Sequence, residues 1–176
     1  QPRRGDWPSL AVTALGVVFG FPLLTALALQ HVSSAHSIVF VGLLPLCTAG
    51  FAVLRGGERP RPLFWAFSLA GAGLVAGYAS AYAGQASIVG DGLMVAAVVV
   101  CGLGYAEGAR LSRTLGGWQV ISWSLLLALP AMLVLAVATM PTMANLTQVG
   151  ASAWFSFGYV SLLSMFIGFV LSLIHI

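Results

Sequence analysis

The chain has 176 residues, of which 60% are apolar and only 6% charged, with a mean hydropathy of +1.01 and a net charge of +3. A soluble globular domain carries about 25% charged residues, so this composition cannot cover a water-facing surface. It excludes a cytosolic enzyme, a nucleic-acid reader and a disordered tail.

The opening Gln1-Pro2-Arg3-Arg4-Gly5-Asp6 reads as a loop, with no initiator Met and no signal peptide ahead of it. Six apolar runs follow, at 9–29, 35–54, 62–84, 92–109, 118–140 and 151–174. A bilayer core of about 30 Å needs roughly 20 apolar residues per helix, and every run is close to that length. Segments of about ten alternating residues, the mark of a β-barrel, have a different pattern. Connections of 5 to 10 residues make consecutive helices antiparallel neighbours. The fold class expected is all-α, a polytopic membrane bundle of six transmembrane helices. The closing Leu171-Ser172-Leu173-Ile174-His175-Ile176 matches what one reading frame of a transposon-end sequencing adaptor encodes. Residues 171–176 are therefore expected to be non-native, and His175 to carry no meaning.

The seven cations are all arginines, and there is no lysine. Arg3 and Arg4 precede the first run, Arg55, Arg59 and Arg61 follow the second, and Arg110 and Arg113 follow the fourth. The segments 30–34, 85–91 and 141–150 carry none. In a six-span serpentine all seven fall on one side, which the positive-inside rule makes cytoplasmic. They form no continuous basic face of the kind that binds nucleic acid.

Gly16/Gly20, Gly73/Gly77 and Gly104/Gly108 are three GxxxG pairs, a spacing that lets helix backbones approach closely in lipid. Pro22, Pro45 and Pro130 lie inside runs and are expected to kink helices, as in cavity-lining or moving helices. Cys47 and Cys101 read as buried inert thiols, since neither has a CxxC or metal-ligand spacing. Trp7, Trp65, Trp118 and Trp154 stand near span ends, as an interfacial belt does, while Trp123, Tyr78, Phe40, Tyr105 and Tyr159 lie deeper.

The order of several short motifs resembles the EamA type of the drug/metabolite transporter superfamily. These are Ala28-Leu29, Ser33-Ser34-Ala35, Leu44-Pro45-Leu46, Gly57-Glu58-Arg59, the later Gly90-Asp91-Gly92-Leu93, and Leu111-Ser112-Arg113 before a Trp-bearing helix. The resemblance runs to about Val170. It implies ten helices in two inverted five-helix repeats, of which this chain carries helices three to eight. Residues 1–86 then hold the last three helices of the first repeat, and residues 87–170 the first three of the second. An internal echo agrees: Trp7 with Gly20-Phe21, and Trp154 with Gly168-Phe169. The resemblance also implies a central cavity. On the helices that would line it, Thr25, Phe40, Tyr105 and Tyr159 are the substrate candidates, with Pro45 shaping its helix.

Glu107 is the only acid inside a run, which makes it a functional candidate by default. Arg110 follows at i+3, so it reads either as an interfacial ion pair or as a proton-coupling carboxylate. His31 and His36 flank the first outer turn and read as wet loop histidines, although histidine can serve proton coupling. Gln30 and Gln85 read as interfacial. Asp91 reads as a helix N-cap, and Glu58 as the partner of arginines in its own loop.

No catalytic or metal-binding constellation appears in the sequence, and no cofactor is expected. The function expected is secondary transport by alternating access, with export of small metabolites or amino acids, in a bacterial inner membrane. A structural or interaction protein of the bilayer, and less so an intramembrane enzyme, are the alternatives. Expected partners are membrane lipids and a small-molecule substrate, with no nucleic acid; a homodimer is compatible with the pattern.

Overall fold

The computed structural model describes residues 2–81, 87–140 and 149–167. Gln85, most of the 141–150 connection, Gly168-Phe169 and the 171–176 tail lie outside the described residues. The secondary structure described is helical throughout, and each predicted run is matched by a helix.

Helix α1 covers Arg4–Ala28 and α2 covers Ser34–Gly56. Helix α3 is Pro62–Ala81, α4 is Ile88–Leu115 and α5 is Gly117–Ala138. Helix α6 is Ala151–Tyr159, continued by a π-helical segment Val160–Ile167. Four of these, α1, α2, α4 and α5, are long and apolar enough to cross a bilayer. Shorter apolar helices occupy Pro62–Tyr78 and Ala151–Leu163. The chain is an all-α polytopic membrane protein.

Residues 1–128 form one compact unit and residues 129–176 a second. In the first, α4 is the central helix, packed between α1 and α2. Its 28 residues exceed the predicted run at both ends. At about 1.5 Å per residue it is some 42 Å long, against about 30 Å of hydrocarbon. The extra C-terminal turns are polar, and the extra N-terminal turn, Ile88-Val89-Gly90-Asp91, starts at a true cap. Ser87 has an extended backbone and its side chain accepts from the Gly90 N–H at 3.3 Å. Asp91 therefore is not the N-cap, contrary to the sequence reading. It sits one turn inside the helix, where its carboxylate is free to reach across to α2.

Glycines set how closely the helices meet. A Cβ on Gly16 would lie 3.0 Å from the Gly104 Cα, and one on Gly104 would lie 3.2 Å from the Gly16 Cα. A Cβ on Gly102 would lie 2.9 Å from the Cys47 Cβ. Gly102 and Gly104 are two residues apart, about 200° around a helix. One therefore faces α2 and the other α1. The Gly73/Gly77 pair is different: added Cβ atoms there meet nothing within 4 Å. Of the three GxxxG pairs, the structure gives close-packing roles to the first and third.

Two of the prolines sit where the regular α-helical hydrogen-bond pattern changes or breaks. Pro22 opens the α-helical Phe21–Ala28 after a π-helical stretch Ala14–Gly20. Pro45 opens Leu44–Gly56 after a turn at residues 42–43 that ends Ser34–Val41. Pro130 lies within α5. Leu10, Leu111 and Val120 form a small core at one end of the first unit, with Leu115, Trp123 and Leu127 against it. Trp7 closes onto Trp123 edge to face, with ring centroids 5.9 Å apart.

In the second unit, α6 begins after Gly150, whose backbone is extended. Trp154 and Phe157 stack edge to face at 6.3 Å one helical step apart.

Candidate functional site

The polar chemistry of the first unit collects at the two ends of α4. At the arginine-bearing end, Glu107 is fully buried, at 0% exposure. Arg110 donates from Nε and Nη2 to its Oε2, at 3.2 and 2.9 Å. Arg55 reaches across from the end of α2 and donates from Nε to Oε1 at 2.5 Å. The Arg110 Nη2 also donates to the Ser9 hydroxyl of α1 at 2.8 Å. A buried carboxylate unpaired in lipid is very costly. Here it is held by two guanidiniums, and one of them, Arg110, is held in turn by the Ser9 hydroxyl, so that three helices meet at the cluster. The Glu107–Arg110 pair of the sequence reading is present, and Arg55 and Ser9 join it.

Those contacts bring the starts of α1 and the ends of α2 and α4 to one level. Arg113, one turn beyond, binds Glu58. Glu58 therefore pairs across helices and not within its own loop as the sequence suggested. A carboxylate flanked by like-placed arginines on a short loop cannot turn back to them as readily as it meets a cation on the neighbouring helix.

At the opposite end His36 of α2 meets Asp91 of α4, with Nε2 2.7 Å from Oδ1. The His36 side chain is only 8% exposed and its ring lies against Phe40 at 5.6 Å. His36 is thus a helix-packed residue, not a wet loop histidine. His31 is an exposed turn residue, as expected. Ser33 caps α2 by accepting from the His36 N–H at 3.2 Å, which sets the imidazole on the side facing α4.

The cavity candidates occupy several depths. Thr25 lies near the His36 end of α1, and its Oγ1 is buried with no hydrogen-bond partner among the described residues. Phe40 is half-buried beside His36, and Pro45 is exposed at the first turn after the break in α2. Tyr105 is partly exposed and lies within one turn of Glu107. Along the helix axes, Phe40 and Tyr105 are about 15 Å apart in depth, from a 1.5 Å rise per residue. They line up along the helices and do not converge on one cage. Tyr159 lies exposed in the second unit. Ser124 of α5 is a residue the sequence reading missed: it is fully buried and its hydroxyl has no partner among the described residues. Arg55 and Ser9 were missed too, because nothing local links them to Glu107.

Comparison with known proteins agrees with this architecture. The EamA-like transporter family matches residues 1–79. The Bacillus subtilis (strain 168) protein named "Uncharacterized transporter YdeK" is 63% identical over 170 residues, which is 97% of this chain and 58% of that protein. The chain thus spans about three-fifths of the relative's length. No solved structure matches the chain. The likeness to this relative runs along nearly the whole chain, and residues 1–79 carry the match to the EamA-like transporter family.

Proposed function

We propose that the protein is a secondary active transporter that exports small metabolites or amino acids by alternating access. The observation that carries the reading is the 63% identity, over almost the entire chain, to a protein named as a transporter. The geometry supports it. Irregular helices at membrane depth are tolerated where they line a protein cavity; α2 is broken by a turn just before Pro45, and α1 changes from π- to α-helical pairing just before Pro22. The buried Thr25 hydroxyl supplies a polar group at that depth with no partner among the described residues. In this reading Thr25, Phe40, Tyr105 and Tyr159 line the substrate path and Pro45 shapes it. The arginine-bearing ends face the cytoplasm of a bacterial cell, six helices of this chain cross the inner membrane, and a pair of copies forms a homodimer. Glu107 serves as a structural anion and not as the proton-coupling group. No residue set points to catalysis, and the family and the relative's name favour transport over enzyme chemistry.

The test is efflux by the full-length protein in cells that lack their own exporters for a panel of labelled amino acids and toxic analogues. Energised cells expressing it should retain less of at least one compound, and collapse of the proton gradient should restore retention. Unchanged retention across the panel, with the protein folded in the membrane, refutes export and favours a structural role in the bilayer.

A further inference from the structure

The Glu107 cluster holds more positive charge than its own pairing requires. Arg55 and Arg110 against Glu107 leave one net positive charge at the site. Arg55 uses only Nε on the carboxylate, so both of its Nη groups have no partner among the described residues. Arg110 uses Nε and Nη2, which leaves Nη1. The carboxylate is at 0% exposure while the two arginine side chains are at 53% and 48%. Each guanidinium therefore has one edge fixed inward and another edge turned outward. Fixing the inner edge removes much of the rotamer freedom that an arginine would lose on binding an anion.

We infer that the outward edges of Arg55 and Arg110 form a binding site for the phosphate of an anionic phospholipid headgroup. Three observations select this ligand. The forked N–H groups of arginine match phosphate oxygens two at a time, and this chain uses arginine at all seven cationic positions and lysine at none. The site stands at the ends of apolar helices long enough to cross a bilayer, at headgroup depth. Leu54, next to Arg55, is 78% exposed, which provides apolar surface for an acyl chain beside the charged edge. Neighbouring Arg113 is engaged with Glu58, so Arg55 and Arg110 are the guanidiniums held in place by a buried acid. The inference does not depend on what the protein transports.

The experiment uses full-length protein in phosphatidylcholine nanodiscs with a minor fraction of phosphatidylglycerol, and counts lipids retained after release by native mass spectrometry. Phosphatidylglycerol should be retained at least fivefold over its share. Arg55→Lys keeps the charge and loses the fork, and should remove most of that preference. Arg59→Gln/Arg61→Gln removes two loop charges outside the site and should leave the preference within twofold. Glu107→Gln adds net positive charge but frees the inner edges, and should weaken retention. A diffuse electrostatic patch behaves in the opposite way: Arg55→Lys would be silent, Arg59→Gln/Arg61→Gln would weaken retention and Glu107→Gln would strengthen it, and that pattern overturns the inference. Displacement of phosphatidylglycerol by millimolar inorganic phosphate would also overturn it, because it would assign the site to a soluble anion. Thermal melting of each variant, run alongside, identifies any that fail to fold. Should Arg55→Lys be one, Arg55→Gln replaces it, with the same loss expected and unchanged retention counting against the site.

Discussion

Adding one methyl group at Gly16 should destabilise the protein, and adding the same group at Gly73 should not. The Cβ of Gly16→Ala would sit 3.0 Å from the Gly104 Cα, 3.2 Å from the Gly104 nitrogen and closer still to the Val100 carbonyl oxygen. These are backbone atoms and cannot rotate away. Restoring ordinary contact means parting α1 and α4 by on the order of 1 Å, and overpacking of this kind costs about 1–3 kcal/mol. Parting the helices also weakens the dispersion contacts around the crossing. At Gly73 an added Cβ meets nothing within 4 Å, so Gly73→Ala gains helix propensity of up to about 1 kcal/mol. The two changes therefore differ in sign. The assay is thermal stability of the full-length protein in detergent, read as the fraction that stays monodisperse after heating. Gly16→Ala should melt several degrees below the parent and Gly73→Ala at or slightly above it. Gly16→Ala/Gly104→Ala should cost less than the sum of the singles, since one methyl already opens the crossing. Equal stability of the two single variants would refute the claim that the first GxxxG pair is a backbone contact and the second is not.

With Cys47 and Cys101 replaced by alanine, an impermeant thiol reagent should label Gln30→Cys and spare Gly56→Cys in intact cells; the reverse pattern would invert the orientation. Glu107→Gln should cost about 1–3 kcal/mol of stability, because both arginines are half exposed and can turn to water. Arg55→Ala/Arg110→Ala should cost more, about 3–5 kcal/mol, by leaving the buried acid unpaired; a larger loss from the acid than from the two cations would contradict this account. Gradient-driven flux should survive Glu107→Gln, and its loss with intact exchange would instead make Glu107 a coupling group. A short bis-thiol cross-link between His36→Cys and Asp91→Cys should leave transport running, and a block would mean that α2 and α4 separate during the cycle.

What the sequence revealed and what it hid divide by distance along the chain. Hydropathy is a local property, and each of the six apolar runs is matched by a helix, although the fourth helix runs beyond its run at both ends. The Glu107–Arg110 pair was legible because i and i+3 share a helix face. The Arg55–Glu107 and His36–Asp91 pairs were not, since each joins residues more than fifty positions apart. Only the packing of α2 beside α4 brings them together. Asp91 was misread as the cap because Ser87 and Asp91, four residues apart, both suit that role. The extended backbone at Ser87, with φ −124° and ψ 118°, decides between them. The three GxxxG pairs are indistinguishable as motifs, and only the neighbour that each helix meets separates the two that pack from the one that does not.

Helices α2 and α4 run parallel, separated in sequence by α3, and are tied at each end by a side-chain contact to an acid, His36 to Asp91 and Arg55 to Glu107. His36 to Arg55 is 19 residues along α2, and Asp91 to Glu107 is 16 along α4. At about 1.5 Å per residue these are some 28 and 24 Å. The pairs therefore bracket almost the full hydrocarbon thickness of about 30 Å, near the depths where water and headgroups can reach charges. The helices keep step as far as Cys47 and Gly102, so the additional residues of α2 lie between Cys47 and Arg55, whose long side chain spans the difference to Glu107. Between the two pairs, Gly102 seats α4 against Cys47 so closely that a Cβ would not fit. Sliding α2 by one helical turn, about 5.4 Å, would break both side-chain contacts and the glycine contact together. The register of this helix pair is thus fixed at three depths. On the transport reading proposed above, this register predicts that α2 and α4 move as one body while access alternates around them.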